Sequence, residues 1–330
     1  MRPAFRVTVD GEDVTSAFVP RLVSLSLSDA AGVQSDRVSF RLSDTEPMGR
    51  LQEPGFGAEV RVWLGYGSEL RYMGLFIADR VEVSGPPDEM SITAVASPHG
   101  ETSGGKSAIT AQATRSVEAG TTLGDLVAQI ASRHGMAPAV SPALASIELP
   151  HIDQVDESDI NLLTRLALDL DAIAKPGDGK LVLARRGESL SVGGRPMPVL
   201  QLYPEDVSQW RAGRSLREPA GRVLATHQDL DAGQPVEAVA GDLEPIIRLR
   251  PRFPTKDAAD RAAASELARR SRAGRSLSLQ MPGDPDLVAE SRLRLTGFRS
   301  YVDGEWLVTS VQHSLDSGGY RCSVTAETMK

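Results

Sequence analysis

Short segments of this chain alternate apolar and polar residues with period two: Val23-Leu25-Leu27, Val38-Phe40-Leu42, Val60-Val62-Leu64, Val81-Val83 and Ile92-Ala94-Ala96. A strand of this kind buries one face only, so the pattern predicts antiparallel sheets curled into a sandwich or barrel. Gly65-Tyr66-Gly67 and Ser84-Gly85-Pro86-Pro87 separate the strands as turns. Residues 1–98 are thus expected to form an all-β domain. From His99 to Gly120 the chain is rich in Gly, Ser and Thr and has no period, so 99–120 reads as a loop or linker.

The period then changes. Leu123, Leu126, Val127 and Ile130 recur at helical spacing, Thr122 and Asp125 are placed as a capping box, and Gly135 is a stop signal. A second helix is expected from Ser158 to Leu170, burying Leu162, Leu163, Leu166, Ala167 and Leu170. Lys180-Leu181-Val182-Leu183 follows a Gly177-Asp178-Gly179 turn as a hairpin strand. Residues 121–190 are therefore expected to be a small α+β domain. Strand patterning resumes from about 200, and 191–330 is assigned to a second β domain. An Ala- and Arg-rich helix near 256–273, capped by Thr255 and ended by Gly274, interrupts it. Its weak apolar face places it on a surface or against a partner.

The two β regions echo each other. Glu59-Val60-Arg61-Val62-Trp63-Leu64-Gly65-Tyr66 is followed, with one extra residue, by Glu290-Ser291-Arg292-Leu293-Arg294-Leu295-Thr296-Gly297-Phe298. Ala78 to Val83 matches Thr309 to Ser314, and Ser91 to Ser97 matches Cys322 to Thr328. The order strand, turn, strand, strand is a feature of any β-meander and also of a duplicated domain. Duplication has the larger consequence, because three copies of a two-domain chain present six similar edges.

Composition narrows the function classes. The chain has 330 residues, 41% hydrophobic content and a formal net charge of −8, so it supports real cores and lacks the clustered basic excess of a phosphate-neutralising surface. A single cysteine, Cys322, excludes an intramolecular disulfide and a Cys-rich metal site, and five histidines without His-x-x-x-His spacing argue against zinc. No cofactor is expected. The N-terminus, Phe5 to Asp10, alternates like a strand and has no signal-peptide core, and no apolar run approaches the roughly 18 residues of a membrane span.

At Leu149-Pro150-His151-Ile152-Asp153-Gln154-Val155-Asp156-Glu157-Ser158-Asp159, followed by Leu162-Leu163-Thr164-Arg165-Leu166-Ala167, the sequence resembles the phage late control gene D proteins. These are tail hub proteins related to the hub half of type VI secretion VgrG spike proteins. Thr122-Leu123-Gly124-Asp125, His134-Gly135 and Leu295-Thr296-Gly297-Phe298 extend the resemblance over essentially the whole chain. Leu162 stands where a phenylalanine is expected, and Val117 where an aromatic residue commonly precedes the first helix. The resemblance implies a mainly β fold with an α+β insert: two similar antiparallel tube-like β-barrel domains flanking a small helix-containing LysM-like domain. It also implies a structural, non-enzymatic role at the virion tail baseplate of a contractile tail or related injection system. The chain would form a homotrimer with pseudo-sixfold symmetry that joins a hexameric tail tube to a central spike. The implied partners are the tail tube or tube-initiator protein, the tape-measure protein, baseplate wedge proteins and a spike. Because no β-helix follows the second barrel, the spike is expected on a separate polypeptide.

Three other chemistries compete with that expectation. Gly100-Glu101-Thr102-Ser103-Gly104-Gly105-Lys106-Ser107 fits the phosphate-loop pattern, but the preceding strand alternates, and Ile109, Thr110 and Thr114 make a poor first helix. A flexible loop explains it better. Asp153, Asp156, Glu157 and Asp159 offer carboxylates, and His151 a histidine, but acidic residues at a helix start are explained by capping and the helix dipole. No nucleophile elbow accompanies His151. A LysM-like insert would make the protein a peptidoglycan-binding module, although that fold also serves as a spacer. Trp63, Trp210 and Trp306 are assigned as barrel-core residues or interface anchors.

Overall fold

The computed structural model describes residues 2–32, 36–45, 49–55, 57–96, 109–177, 179–189, 197, 199–214, 221–229 and 233–329. The phosphate-loop pattern at 100–107, Asp178 of the expected turn and much of the expected linker lie outside the described residues. The fold is mainly β with few helices.

The first β half runs β1 (Pro3–Val9), β2 (Glu12–Asp13), β3 (Leu22–Ala30), β4 (Arg37–Ser43), β5 (Glu59–Tyr66), β6 (Glu69–Ser84) and β7 (Glu89–Ala96). Alternation decides which face each strand buries. In β4, Val38, Phe40 and Leu42 are at most 1% exposed, while Arg37 and Arg41, of the other parity, face outward. An insert follows, with β8 (Gln112–Val117), α1 (Leu123–Arg133), β9 (Ala137–Val140), β10 (Ile152–Ser158), α2 (Asp159–Asp169), β11 (Ala172–Gly177) and β12 (Lys180–Arg185). Helix α1 starts where the Thr122 hydroxyl accepts the Asp125 N–H at 3.1 Å, and α2 where the Ser158 hydroxyl accepts the Asn161 N–H at 3.3 Å. Past α1, Gly135 takes φ +66, a conformation that penalises a side chain. The two helices bury their leucines on a three-stranded sheet ordered β11-β12-β9, while β8 and β10 form a separate ladder.

The second β half comprises β13 (Val199–Leu202), β14 (Gln209–Arg214), β15 (Arg222–Asp229), β16 (Gln234–Gly241), β17 (Ile246–Phe253), α3 (Lys256–Ala273), β18 (Arg275–Pro282), β19 (Arg292–Leu295), β20 (Gly304–Asp316) and β21 (Gly319–Thr328). The two expected tube-like β-barrel domains are not separate sheets. Strands from both halves join in one 13-stranded sheet, β14-β18-β21-β20-β3-β4-β7-β6-β5-β1-β2, with β19 and β13 branching from β20. Among the described residues no pairing closes either half on itself. The halves meet where β20 pairs antiparallel with β3, from Ser310 opposite Ala30 to Asp316 opposite Ser24. A single apolar core runs through both.

Helix α3 lies on its own chain, covering a three-stranded sheet ordered β16-β15-β17 that is inserted between β14 and β18. The contact is made by small residues, with Ala259, Ala262 and Ala263 at most 5% exposed. Alanines bury little apolar area, about 0.8 kcal/mol per methyl-sized group, and the helix is pinned instead by Arg272. Its guanidinium bonds Asp171 of the insert at 2.5 Å and Glu327 of β21 at 3.1 Å, and the side chain is only 7% exposed.

Candidate assembly edges

Six strands of each half have the same spatial order: β3-β4-β7-β6-β5-β1 in the first and β14-β18-β21-β20-β19-β13 in the second, each running through the chain in the same sequence order. Registers coincide as well as order. Ile77 faces Glu59 as Leu307 faces Arg292, and Val81 faces Ile92 as Val311 faces Val324. Val38 faces Ala94 as Leu277 faces Ala326. A bulge interrupts β6 between Ala78 and Arg80 and β20 between Val308 and Ser310, the same place in each. Gly74 and Gly304, equivalent by this register, both have positive φ, +133 and +128. The sequence echo aligns the strands to within two residues of this register. One difference is real: β1 pairs with β5 antiparallel, whereas β13 pairs with β19 parallel.

The correspondence shows where the halves are unlike in surroundings. In the second half, β20 has β19 and then β3 along one side and β21 along the other. In the first half, β6 has β5 along one side only as far as Ile77, and from Arg80 to Ser84 no described strand occupies that side. At the opposite end of the sheet β14, the counterpart of β3, pairs among the described residues with β18 alone. Burial follows occupancy. Val311 and His313 are at most 1% exposed beside β3, whereas Val83, the counterpart of His313, is 61% exposed. Leu25 and Leu27 are buried, while Trp210 and Ala212 at the matching positions of β14 are half-buried.

The occupied junction is a polar-lined but closed place. His313 Nε2 lies 3.1 Å from the Leu287 carbonyl and Nδ1 lies 2.8 Å from the Tyr320 hydroxyl, so the ring donates to the first and accepts from the second. Burial holds this imidazole below its usual pKa and pushes the neighbouring Cys322 thiol, 3.2 Å away, up to about 11. A protonated thiol beside a neutral imidazole, both shut off from solvent, is a packing arrangement and not an activated nucleophile.

The sequence-derived candidates are not brought together. Trp63 sits on β5 beneath the Arg6 guanidinium (5.1 Å) and beside Tyr72 (5.2 Å). Trp210 is on the open strand β14, edge-on to Phe298 at 5.6 Å. Trp306 is 2% exposed, its Nε1–H donating to the Val302 carbonyl at 2.7 Å, which places the ring in the core with no free face. The acidic stretch disperses. Asp153 accepts from Ser116, Asp156 from Thr114 and Glu157 from Arg165, and His151 is exposed, 3.1 Å from Asp153. Asp159 turns inward. Only 1% exposed, it accepts from Arg115 at 2.8 Å and Gln154 at 2.9 Å and lies 2.8 Å from His134 Nε2. Burial opposes its ionisation, yet the hydrogen bonds from Gln154 and His134 and the charges of Arg133 and Arg115 outweigh that and keep the carboxyl below the ordinary carboxylate range.

A second charged cluster, invisible in the sequence, fastens the insert to the junction. Lys175 of β11 reaches Asp29 at 3.0 Å, Asp36 at 2.6 Å and the Ala30 carbonyl at 3.2 Å, beside the first β3–β20 pair.

A family model described as phage tail baseplate hub (GPD) matches residues 111–319. The chain is 28% identical to the probable baseplate hub protein of Escherichia phage 186, over 99% of this chain and 93% of that protein. The 43 kDa tail protein of prophage MuSo2 from Shewanella oneidensis has the same fold, with a TM-score of 0.72 and 15% identity over 99% of this chain and 98% of that one. The E. coli c3393 protein, a component of the type VI secretion system, is also similar in fold, with a TM-score of 0.58 and 10% identity over 99% of this chain and 76% of its own.

Proposed function

Because the chain belongs to the phage tail baseplate hub family, and so is a structural part of a tail baseplate, we propose that it works as a homotrimer whose six β halves form a pseudo-sixfold ring. The observation that carries this reading is the duplication. Two halves with the same strand order, bulge position and register allow three chains to present six near-equivalent units. A ring of that kind matches a hexameric tail tube on one face and a threefold spike on the other. It would contact the tube or tube-initiator protein, the tape-measure protein, baseplate wedge proteins and a central spike. The insert and the α3 module both emerge from connections between the shared strands, so they extend the ring without interrupting its repeated part.

Trp210 and Trp63, which keep ring surface outside the core, are the tryptophans available for contacts between units. Trp306 supports the ring from within. Mass in solution tests the reading: light scattering at micromolar concentration is expected to give three times the monomer mass. A stable monomer that stays monomeric with its baseplate partners present would overturn it.

A further inference from the structure

The β3–β20 pairing inside one chain is a template for a contact between chains. Its two components each occur a second time with no partner strand among the described residues: the Arg80–Ser84 side of β6 copies the Ser310–Ser314 side of β20, and β14 copies β3. We propose that β14 of one chain pairs antiparallel with the free side of β6 in a second copy of the same chain, in the register of the internal junction. This rests on the trimeric reading and names the surface that would hold the trimer together.

The register is fixed by the equivalences. Inside the chain His313 faces Leu27, Gln312 faces Ser28 and Val311 faces Asp29. Carried across, Val83 faces Ala212, Glu82 faces Gly213 and Val81 faces Arg214. Val83 supplies the driving force. It is a valine left 61% exposed on a strand side whose counterpart, His313, is fully buried, and β-branched residues gain most from a cross-strand neighbour. Charge is complementary too. Glu82, 64% exposed at its side chain, comes diagonal to Arg211 of the incoming strand, and the unpaired backbone groups of both edges gain ladder partners. One chain offers a β14 edge and a β6 edge at different places, so the contact is head-to-tail and closes only as a ring.

Disulfide trapping tests the register directly. Chains carrying both Val83→Cys and Ala212→Cys, oxidised mildly, are expected to run as covalent dimers and trimers on a non-reducing gel and to collapse to monomer on reduction. Mixing the two single variants is expected to stop at dimer. Val83→Cys with Gly213→Cys, slipped by one residue, points the thiols to opposite faces and is expected to stay monomeric. The native Cys322 is buried and does not compete. A protein of threefold mass in which the in-register pair fails to cross-link overturns this contact while leaving the trimer standing. Cross-linking in an assembly of another size keeps the contact and removes the trimer. Equal cross-linking of the slipped pair also overturns the contact.

Discussion

Replacing Lys175 by methionine is expected to cost about 3–5 kcal/mol of unfolding free energy, the usual penalty for removing one partner of a buried ion pair. The ammonium lies between two carboxyl groups, each about one-fifth exposed, so its loss leaves the Asp29 charge without its cation and forces Asp36 to take up a proton or face a like charge away from bulk water. The two carboxyls are unequal. Asp29 also accepts the Ala289 N–H at 2.8 Å; burial opposes its charge, but Lys175 and that hydrogen bond outweigh burial and hold its pKa low. Asp36 is pushed up to about 7, first by burial and then by the charge on Asp29. An acid whose folded pKa is raised favours folding in its protonated form. Its contribution is complete below the unfolded value near 4 and fades as pH climbs to about 7. Asp36→Asn is therefore expected to be nearly neutral at pH 6 and neutral to stabilising at pH 8, in contrast to the lysine variant. Denaturant titration of both variants across that window checks the assignment. A Lys175→Met protein as stable as the parent would show that the insert does not depend on this clasp.

Asp159→Ala should be comparably damaging, about 3–5 kcal/mol, because it leaves the buried Gln154 and His134 groups, and the Arg115 guanidinium, without their shared acceptor. The loss should be confined to the insert. Amide exchange is expected to accelerate in α1, β10 and α2 and to stay slow in β4 and β7, which belong to a different apolar core. The pH dependence has the opposite sense to that of Asp36. The folded pKa of Asp159 is lowered, so its stabilisation is complete above the ordinary carboxylate value and disappears as pH falls through the folded one. The alanine variant should lose less stability on acidification than the parent does. Uniform loss of protection in both cores would contradict a local role.

The sequence made the repeated half-sheet readable because its strands bury one face. Leu25, Leu27, Val38, Phe40 and Leu42, picked out by alternation, are all at most 1% exposed. Val81-Val83 follows the same pattern, yet Val83 is left in the open, and that mismatch between an apolar position and its exposure is what marks the β6 edge. Capping was equally legible at two helices, since Thr122 and Thr255 each accept the N–H three residues on, as Ser158 also does where the second helix starts. The β15–β17 sheet was harder to find. Its helix buries alanines, which give almost no periodic signal, and its anchor is an arginine whose acceptors lie 101 and 55 residues away in the chain. Asp159 looked like one of four capping or catalytic acids, and only coordinates separate the inward carboxylate from its three outward neighbours. The Lys175 cluster joins residues 146 and 139 positions apart, beyond the reach of any local pattern.

If duplication within one chain lets threefold assembly imitate sixfold order, end-on electron-microscope averages of the purified hub should decide it. The expected image is a closed ring of six similar lobes around a lumen, with alternate lobes distinguished by the α3 module that the second half carries. A ring with any other number of lobes, or an open chain that never closes, would contradict it.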